Sequence, residues 1–362
     1  MHDTVFALLA PNFVTAHTLC ETVMPSTRGL TLGKFAPLHR GHQYLIETAL
    51  AEVDELIAII YDAPETTSIP LSVRAGWLHH LYPQVEVVEA WDGPTEVGDT
   101  PEIRQAHERY IIERLKVHGI THFYSSEFYG AHMSRALGAI DRRVDPARGA
   151  VPVSGTQVRA DPYAWRAFVP PLVYRDLVTN LVLLGAPSTG KTTLAARLAE
   201  VYSTVWMPEY GREYWEQHQV ERRLTMEQLV ELAESHLLRE EALLPEAKHY
   251  LFTDTNAITT AMFSLAYHGA VAPRLAELAR EAQSRYDLVI VCDSDIPYDD
   301  TWDRSGDADR QVFQKQILAD LRVRRLPFLL VSGDVEARVR QVGELLARHR
   351  KYGNLLETLR GS

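Results

Sequence analysis

Short apolar stretches alternate with amphipathic stretches along most of the chain. LIAIIY (56–61), LVLLG (181–185) and LVIVCD (288–293) are nearly continuous apolar runs, the pattern of strands that are buried on both faces of a parallel sheet. Between such runs apolar residues recur three and four positions apart, as from Leu194 to Tyr202, and this spacing predicts helices that pack one face on the sheet. The alternation predicts an α/β fold with parallel sheets and right-handed crossovers.

The predicted elements fall into two series. In the first, strands are expected at 29–35, 56–61, 85–89 and 121–125, with a helix over 101–116. In the second, strands are expected at LVLLG, TVWMPE, YLFTD, LVIVCD and FLLVSG. Residues 160–177 contain Asp-Pro and Pro-Pro steps, which disfavour helix and are typical of a join between domains. We therefore predict an N-terminal extension of unknown role (1–28) and two domains, 29–177 and 178–362, each with a parallel sheet.

Length and composition agree with two globular domains. The 362 residues are 46% apolar and 23% charged, and at roughly 100–200 residues per domain they suffice for two cores. The formal net charge of −11 disfavours a dedicated nucleic-acid binder, which needs basic residues to neutralise phosphates. Cys20 and Cys292 make no disulfide framework, no uncharged apolar run reaches membrane-spanning length, and the N-terminus lacks the positive segment of a signal sequence. We expect a cytoplasmic protein without a membrane span.

The segment GKFAPLHRGH (33–42) lies between a predicted strand and a predicted helix. Two histidines three residues apart, His39 and His42, fall in the first helical turn, where unpaired backbone N–H groups favour an anion. Imidazole N–H donors at this place would bind phosphate oxygens more strongly as charge develops in a transition state. Gly41 would allow a ligand to approach the backbone. The segment predicts a nucleotide-phosphate site formed by Gly33, Lys34, Phe35, His39, Gly41 and His42.

This segment resembles the signature of the nucleotidylyltransferase superfamily, whose members join the α-phosphate of a nucleoside triphosphate to a phosphate-bearing substrate and release pyrophosphate. The superfamily has a second, Ser/Thr-rich motif that ends in arginine, and VSGTQVR (153–159) stands in its place. Ser154 and Thr156 would hold the β- and γ-phosphates, with Arg159 as a charged donor. The resemblance implies in-line attack on ATP, with His39, His42 and Arg159 stabilising the developing charge and Mg²⁺ accompanying the triphosphate.

A second phosphate motif, GAPSTGKT (185–192), fits the pattern G-x-x-x-x-G-K-[ST] between a predicted strand and an amphipathic helix. In such a loop backbone amides cradle the phosphates, the lysine bridges the β- and γ-phosphates, and the hydroxyl after it binds Mg²⁺. The predicted nucleotide contacts are Gly185, Ser188, Thr189, Gly190, Lys191, Thr192 and Thr193.

Three later segments bear on the molecule that accepts a phosphoryl group from a nucleotide bound at this P-loop (185–192). Asp254 follows the strand YLFT, where a magnesium-binding acid is expected, so Thr192 and Asp254 are the candidate metal ligands. Glu209, at the end of TVWMPE, is placed like the carboxylate that receives a hydroxyl proton in small-molecule kinases. The polar stretch 295–313 is typical of a mobile lid, and we expect Arg304 and Arg310 to close over the phosphates. The sequence contains no N-K-x-D motif, and this argues against a GTPase.

Together the two motifs resemble the bifunctional nicotinamide-nucleotide adenylyltransferase/ribosylnicotinamide kinase family, the NadR family, over about residues 29–350. The stretches IPLSVRAGWLHHLYP, EAWDGPTEVG and SSEFYG share the likeness. The resemblance implies that the C-terminal domain phosphorylates ribosylnicotinamide to NMN and that the N-terminal domain adenylylates NMN to NAD⁺ and pyrophosphate. ATP is the co-substrate of both steps.

Nicotinamide is a flat cationic ring, so aromatic faces are reasonable partners by cation–π attraction. Trp77 and Trp91 are the candidates in the first domain, with Arg74 for the NMN phosphate. In the second domain Tyr210, Tyr214 or Trp215 could take the same part. Some family members carry an N-terminal helix-turn-helix and act as NAD-responsive repressors. Only about 28 residues precede the first motif here, and we predict no sequence-specific DNA binding.

Two alternatives remain open from the sequence. A fusion of phosphopantetheine adenylyltransferase with dephospho-coenzyme A kinase would have the same layout, although SSEFYG and EAWDGP argue against it. A non-catalytic nucleotide sensor is the other, although intact phosphoryl-transfer residues in both motifs argue against that as well. A homo-oligomer is compatible with either reading.

Overall fold

The first sheet has five strands and carries the histidine motif. The computed structural model describes residues 26–96, 98–219, 223–297 and 307–353. The strands of the first sheet are β1 (Arg28–Gly33), β2 (Glu55–Tyr61), β3 (Glu86–Ala90), β4 (His122–Ser125) and β5 (Ile140–Arg143). They pair in parallel in the order β3-β2-β1-β4-β5. The parallel α/β prediction is confirmed for this part of the chain.

Six helices accompany this sheet. They are α1 (Arg40–Glu52), α2 (Leu71–Leu81), α3 (Pro101–Arg109), α4 (Gly130–Leu137), α5 (Gly155–Ala160) and α6 (Pro171–Leu177). The helix expected over 101–116 is interrupted, because a π turn follows α3, with the Leu115 N–H donating to the Tyr110 carbonyl (2.9 Å). Strand β5 is absent from the prediction, since IDRR has one apolar residue and an edge strand needs no apolar run.

The second sheet also has five parallel strands. They are β6 (Thr179–Leu184), β7 (Trp206–Met207), β8 (Tyr250–Asp254), β9 (Leu288–Cys292) and β10 (Leu329–Val331), in the order β10-β9-β6-β8-β7. Its helices are α7 (Lys191–Tyr202), α8 (Tyr210–His218), α9 (Met226–Leu243), α10 (Ala257–His268), α11 (Pro273–Arg285), α12 (Asp307–Val323) and α13 (Val335–Arg348). None of the helices in the described ranges is long and apolar enough to span a bilayer.

The central strand of each sheet is the first strand of its series. From β1 the chain first adds β2 and β3 on one side of the sheet and then β4 and β5 on the other side. In the second sheet it likewise places β7 and β8 on one side of β6 and then β9 and β10 on the other. Ligands of open α/β sheets bind at such a point, outside the carboxyl ends of the strands. The topology therefore puts one crevice after Gly33 and another after Leu184, where the two sequence motifs begin.

Helix α6 lies where the two sheets meet. Val173 and Tyr174 are buried in an apolar cluster that also contains Leu251 of β8, and the Tyr174 hydroxyl donates to the Ala247 carbonyl (2.6 Å). At the end of α6 the Lys351 ammonium lies 3.0 Å from the Asp287 carboxylate. The proline-rich join is thus a packed helix. The domain limits at 177 and 178 stay a prediction.

Two candidate phosphate-binding sites

The two histidines of the first motif cap helix α1. His39 is the N-cap residue, and its Nδ1 accepts the Gly41 N–H (3.2 Å), while His42 Nδ1 accepts the N–H of His39 (3.3 Å). The two rings stack with centroids 3.8 Å apart. A β-carbon at position 41 would lie 3.1 Å from His39 Nδ1, so glycine is needed here for the histidine ring. Ligand access to the backbone at Gly41 stays a prediction.

These caps define the protonation state of the rings. A backbone N–H can only donate, so Nδ1 of each ring carries no proton and Nε2–H is the donor that remains. Burial first, and then the positive charge of Arg148, lowers the pKa of His39 to about 4. Burial, His39 and Arg148 lower the pKa of His42 well below 6.5. Both imidazoles are therefore neutral N–H donors at pH 7. The positive charge that faces a bound phosphate must come from other groups.

Arg159 lies beside these rings on helix α5. Its Nη1 donates to the Ala36 carbonyl and its Nη2 to the Thr156 hydroxyl (3.1 Å). Ser154 is the N-cap of α5, where its hydroxyl accepts the Gln157 N–H (3.3 Å) and donates to the Gln157 side chain (2.8 Å). The fold thus brings the second motif to the first, as the resemblance to the nucleotidylyltransferase signature implied. Ser154 is engaged in the cap.

The loop before α1 is held from beneath by Arg74. This side chain is fully buried and donates to the carbonyls of Lys34, Tyr61 (2.9 Å) and Ile69 (3.0 Å). The prediction that Arg74 binds the NMN phosphate is wrong for this geometry, because its guanidinium is occupied by backbone acceptors. Lys34 is ion-paired with Glu65.

Phe35 supports the histidine pair from the side. Its ring is buried and lies 4.9 Å from the His42 ring, and a β-carbon at Gly33 would lie 3.4 Å from it. Phe35 adopts a left-handed φ of 45°, which ends β1 two residues earlier than predicted. These contacts place Gly33 and Phe35 in the support of the loop.

The two tryptophans proposed for nicotinamide differ in exposure. Trp77 is 2% exposed in the core, and its indole N–H donates to the Asp176 carboxylate (2.7 Å), so the prediction that it presents a face to substrate is wrong. Trp91 is 58% exposed just after β3, at the carboxyl edge of the sheet. Its role in substrate binding stays a prediction.

The second motif forms a loop between β6 and α7. Gly185 and Gly190 have φ of 141° and 80°, and a β-carbon at 185 would lie 2.7 Å from the Cys292 carbonyl. Lys191 Nζ donates to the Ala186 carbonyl (3.0 Å), which draws the ammonium over the loop. Thr189 is fully buried and its hydroxyl donates to the same carbonyl (2.8 Å), so this hydroxyl shapes the loop; its predicted nucleotide contact, through the backbone amide, stays a prediction.

Two carboxylates lie close to the loop. Thr192 donates to Asp254 Oδ2 (2.5 Å), while Oδ1 of the fully buried Asp254 has no hydrogen-bond partner. Burial, and then the charge of Glu209, raises the pKa of Asp254 to about 7. A buried carboxylate oxygen without a partner fits a hard cation, and the Thr192 hydroxyl stands next to it. Among the described residues no group of three or more His, Cys, Asp or Glu gathers as a metal site.

A cleft of about 440 Å³ opens in front of the P-loop. The predicted residues that line it are Gly185, Ser188, Gly190, Lys191, Thr192, Thr193 and Glu209. Its far wall is aromatic, with Trp215 of α8 and Phe263 and Tyr267 of α10. Tyr210 is not among the residues that line the cleft, and the Arg239 guanidinium lies over one face of its ring at 3.6 Å. Its contact with nicotinamide stays a prediction. The contribution of Phe263 and Tyr267 to the cleft could not be predicted from the sequence, because aromatic residues four positions apart are equally typical of a helix face packed in the core.

The two predicted lid arginines have different outcomes. Arg304 lies outside the described residues. Arg310 belongs to α12, is 5% exposed, and donates to the carbonyls of Ser188 (3.3 Å), Ser294 and Ile296 (both 3.1 Å). It therefore braces the P-loop from the side, in contrast to the expected contact with the phosphates.

A second brace was not predicted. Arg338 of α13 is 2% exposed and donates to the carbonyls of Thr189, Gly333 (2.9 Å) and Asp293 (3.1 Å). The acceptors belong to three segments far apart in sequence, so no local motif marks this arginine.

Comparisons with known proteins follow this division of the chain. A cytidylyltransferase-like family model matches residues 30–161, and an AAA domain model matches residues 180–338. The trifunctional NAD biosynthesis/regulator protein NadR of Salmonella typhimurium is 29% identical over 338 residues, covering 88% of this chain and 82% of that protein. The Escherichia coli protein of the same name is 28% identical over 340 residues, with the same coverage.

Two solved structures share the fold. A NadR protein in complex with NR matches 88% of this chain and 96% of its own, with a TM-score of 0.54 and 22% identity. A NadR protein in complex with NAD and AMP-PNP has a TM-score of 0.52 and 21% identity at the same coverage. The likeness extends through both sheets.

Proposed function

The chain belongs to the NadR family, and we propose on that premise that it is a bifunctional NAD salvage enzyme. Its C-terminal domain phosphorylates the 5′-hydroxyl of ribosylnicotinamide to give NMN. Its N-terminal domain transfers the adenylyl group of ATP to NMN, giving NAD⁺ and pyrophosphate. The observation that carries the proposal is the presence of two phosphate sites in one chain, each at the crevice after the central strand of its own sheet.

In the adenylyl-transfer step an NMN phosphate oxygen attacks the α-phosphorus of ATP, and the bond to the bridging oxygen breaks toward pyrophosphate. His39 and His42 donate Nε2–H to phosphate oxygens, and Arg159 supplies a positive charge. No proton has to move, because the attacking oxygen is already ionised. Catalysis is then positioning plus electrostatic stabilisation.

In the kinase step the nucleoside lies between the P-loop and the aromatic wall. Trp215 and Tyr267 offer ring faces to the cationic nicotinamide, and Glu209 accepts the proton of the 5′-hydroxyl. Lys191 binds the β- and γ-phosphates. Thr192 and Asp254 would hold Mg²⁺, which would supply positive charge to the phosphates when bound.

We keep the limits 29–177 and 178–362 for the two domains and propose a cytoplasmic location, since both substrates and ATP are cytoplasmic metabolites in this reading. ATP, ribosylnicotinamide, NMN and NAD⁺ are the proposed ligands. Two cysteines, one of them fully buried as Cys292, suit a reducing compartment.

Product analysis with matched variants tests the proposal. Wild-type protein, ATP and Mg²⁺ should convert ribosylnicotinamide to NAD⁺ with NMN as a transient. Lys191→Met should convert NMN but not ribosylnicotinamide, and His42→Ala should accumulate NMN. Each variant is the control for the other, because each leaves one site intact in a folded chain. If the wild-type protein turns over neither substrate but accepts 4′-phosphopantetheine, the proposal is wrong and the coenzyme A reading replaces it.

A further inference from the structure

The segment between β5 and α5 forms a rigid turn. The carboxylate of Asp145 accepts the backbone N–H groups of residues 149–151 at 2.7–3.1 Å, and the Arg148 N–H donates to the Asp145 carbonyl (2.9 Å). Arg148 has a left-handed φ of 53° at the tip of this turn. A loop wound around one carboxylate in this way presents its tip in a defined place, which lowers the entropic cost of binding a ligand.

The turn lies against the histidine pair. It follows the carboxyl end of β5, at the same edge of the parallel sheet as the end of β1. A β-carbon at Gly41 would lie 3.7 Å from Val153, which closes the segment. The positive charge of Arg148 acts on both rings, because it contributes, in addition to burial, to the lowered pKa of His39 and of His42. The turn that carries Arg148 therefore lies at the rim of the adenylyl-transfer crevice.

The present partner of this guanidinium is weak. Arg148 Nη2 makes a single contact with Glu127 Oε1 at 3.2 Å, and the two side chains are 48% and 46% exposed. An exposed ion pair of this kind contributes little to stability. Guanidinium binds phosphate by two parallel N–H···O bonds, which are shorter and stronger. A phosphate that accepts two such bonds would compete with the single contact to Glu127.

The negative charge that develops at the first site requires a positively charged group nearby. The leaving pyrophosphate gains negative charge as the bond to the α-phosphorus breaks. His39 and His42 are neutral and supply dipoles only. Arg159 already donates to Ala36 and Thr156. A second guanidinium would balance charge that the motif residues leave uncompensated.

We propose that Arg148 is a catalytic residue of the first site, which leaves Glu127 and binds the β- and γ-phosphates of ATP as they depart as pyrophosphate. The proposal rests on the adenylyl-transfer activity proposed above. An NMN phosphate oxygen forms the new bond to the α-phosphorus, the bond from that phosphorus to the bridging oxygen breaks, and its electron pair stays on pyrophosphate beside Arg148.

The test compares Arg148→Met and Arg148→Lys with Arg135→Met, which removes a solvent-exposed arginine of the same domain. NAD⁺ formation and the reverse reaction with pyrophosphate are measured on the full chain, with ribosylnicotinamide kinase activity as the internal control. Arg148→Met should lower kcat/KM for ATP in adenylylation about 100-fold, as for loss of one transition-state donor. It should raise KM for pyrophosphate and leave KM for NMN within about threefold. Arg148→Lys should recover part of the loss.

Glu127→Gln supplies the opposite change. Removal of the competing carboxylate should lower KM for ATP in adenylylation, with no effect on the kinase. The proposal is overturned if Arg148→Met keeps more than a third of wild-type kcat/KM, or if KM for NMN and for pyrophosphate rise together as they would for a purely structural role. If wild-type protein forms no NAD⁺ from NMN, the proposed function itself fails and the Arg148 proposal fails with it, which is a separate outcome.

Discussion

Arg74→Met separates two roles that this side chain could have. In the structure the guanidinium is buried and satisfies the carbonyls of Lys34, Tyr61 and Ile69. Methionine replaces the aliphatic part of the arginine side chain but has no donor, so three buried carbonyls would lose their partner. Each buried acceptor left unpaired costs about 1–3 kcal/mol, and part of this is offset because no charge has to be desolvated. We expect a net loss of about 3–5 kcal/mol for the first domain, in the range for breaking one buried charged network.

The assay has a global and a local readout. At about 2–4 °C per kcal/mol for a domain of this size, the first unfolding transition should fall by about 6–20 °C. Hydrogen exchange should accelerate in peptides that cover 34–42, because Lys34 and the histidine caps lie on the loop that Arg74 holds. Exposed Arg109→Met is the control, with an expected change within about 0.5 kcal/mol.

The alternative role has a different signature. If Arg74 bound the NMN phosphate, Arg74→Met would raise KM for NMN at least tenfold with unchanged melting and unchanged hydrogen exchange. That result would refute the assignment of Arg74 as a brace. Arg74→Lys adds a second discrimination, because an ammonium serves a phosphate but cannot reach three carbonyls in the fork geometry of arginine.

Three further predictions follow from the sites. His39 has a pKa of about 4 in the folded protein and 6.5 in the unfolded chain, so its stabilising contribution is complete above pH 6.5 and is lost as the pH falls toward 4. The free energy of unfolding in urea should therefore fall between pH 7 and pH 5 by about 2 kcal/mol more in the wild type than in His39→Gln. An equal fall in both proteins would contradict the neutral imidazole. Gly41→Ala should lower kcat/KM for NMN adenylylation about tenfold by displacing the His39 ring, with kinase activity as control, and full activity would show that the ring has room. Trp215→Ala should raise KM for ribosylnicotinamide about tenfold while Trp215→Phe stays within about threefold, as expected for a ring face on a cation; equal effects on KM for ATP would argue for a purely structural part.

Both phosphate sites could be located from sequence because each is built from contiguous residues. A strand, a glycine-containing turn and the first turn of a helix are adjacent along the chain, so HxGH and GxxxxGKT contain most of the geometry they need. The placement of Asp254 beside Thr192 was also predictable, because β8 is a buried apolar run whose end must lie at the carboxyl edge of the sheet.

The errors share one physical origin. Residue type shows what a side chain can do, but burial and acceptors are supplied by segments distant in sequence. Trp77 is enclosed by the core and donates to Asp176, 99 positions away. Arg310 reaches Ser188 across 122 positions and braces the loop that it was expected to close over.

The sequence by itself determined the fold class, the two phosphate motifs and the resemblance to the NadR family, because periodicity and strand–turn–helix signatures are local. Only the tertiary structure decided which groups stand around those motifs. It decided that the histidines are neutral donors, since their caps and burial depend on packing, and that Arg74 and Arg338 are braces. It also brought Trp215 and Tyr267 to one cleft and Arg148 to the other, because side chains from separate helices and loops meet only once both sheets are assembled.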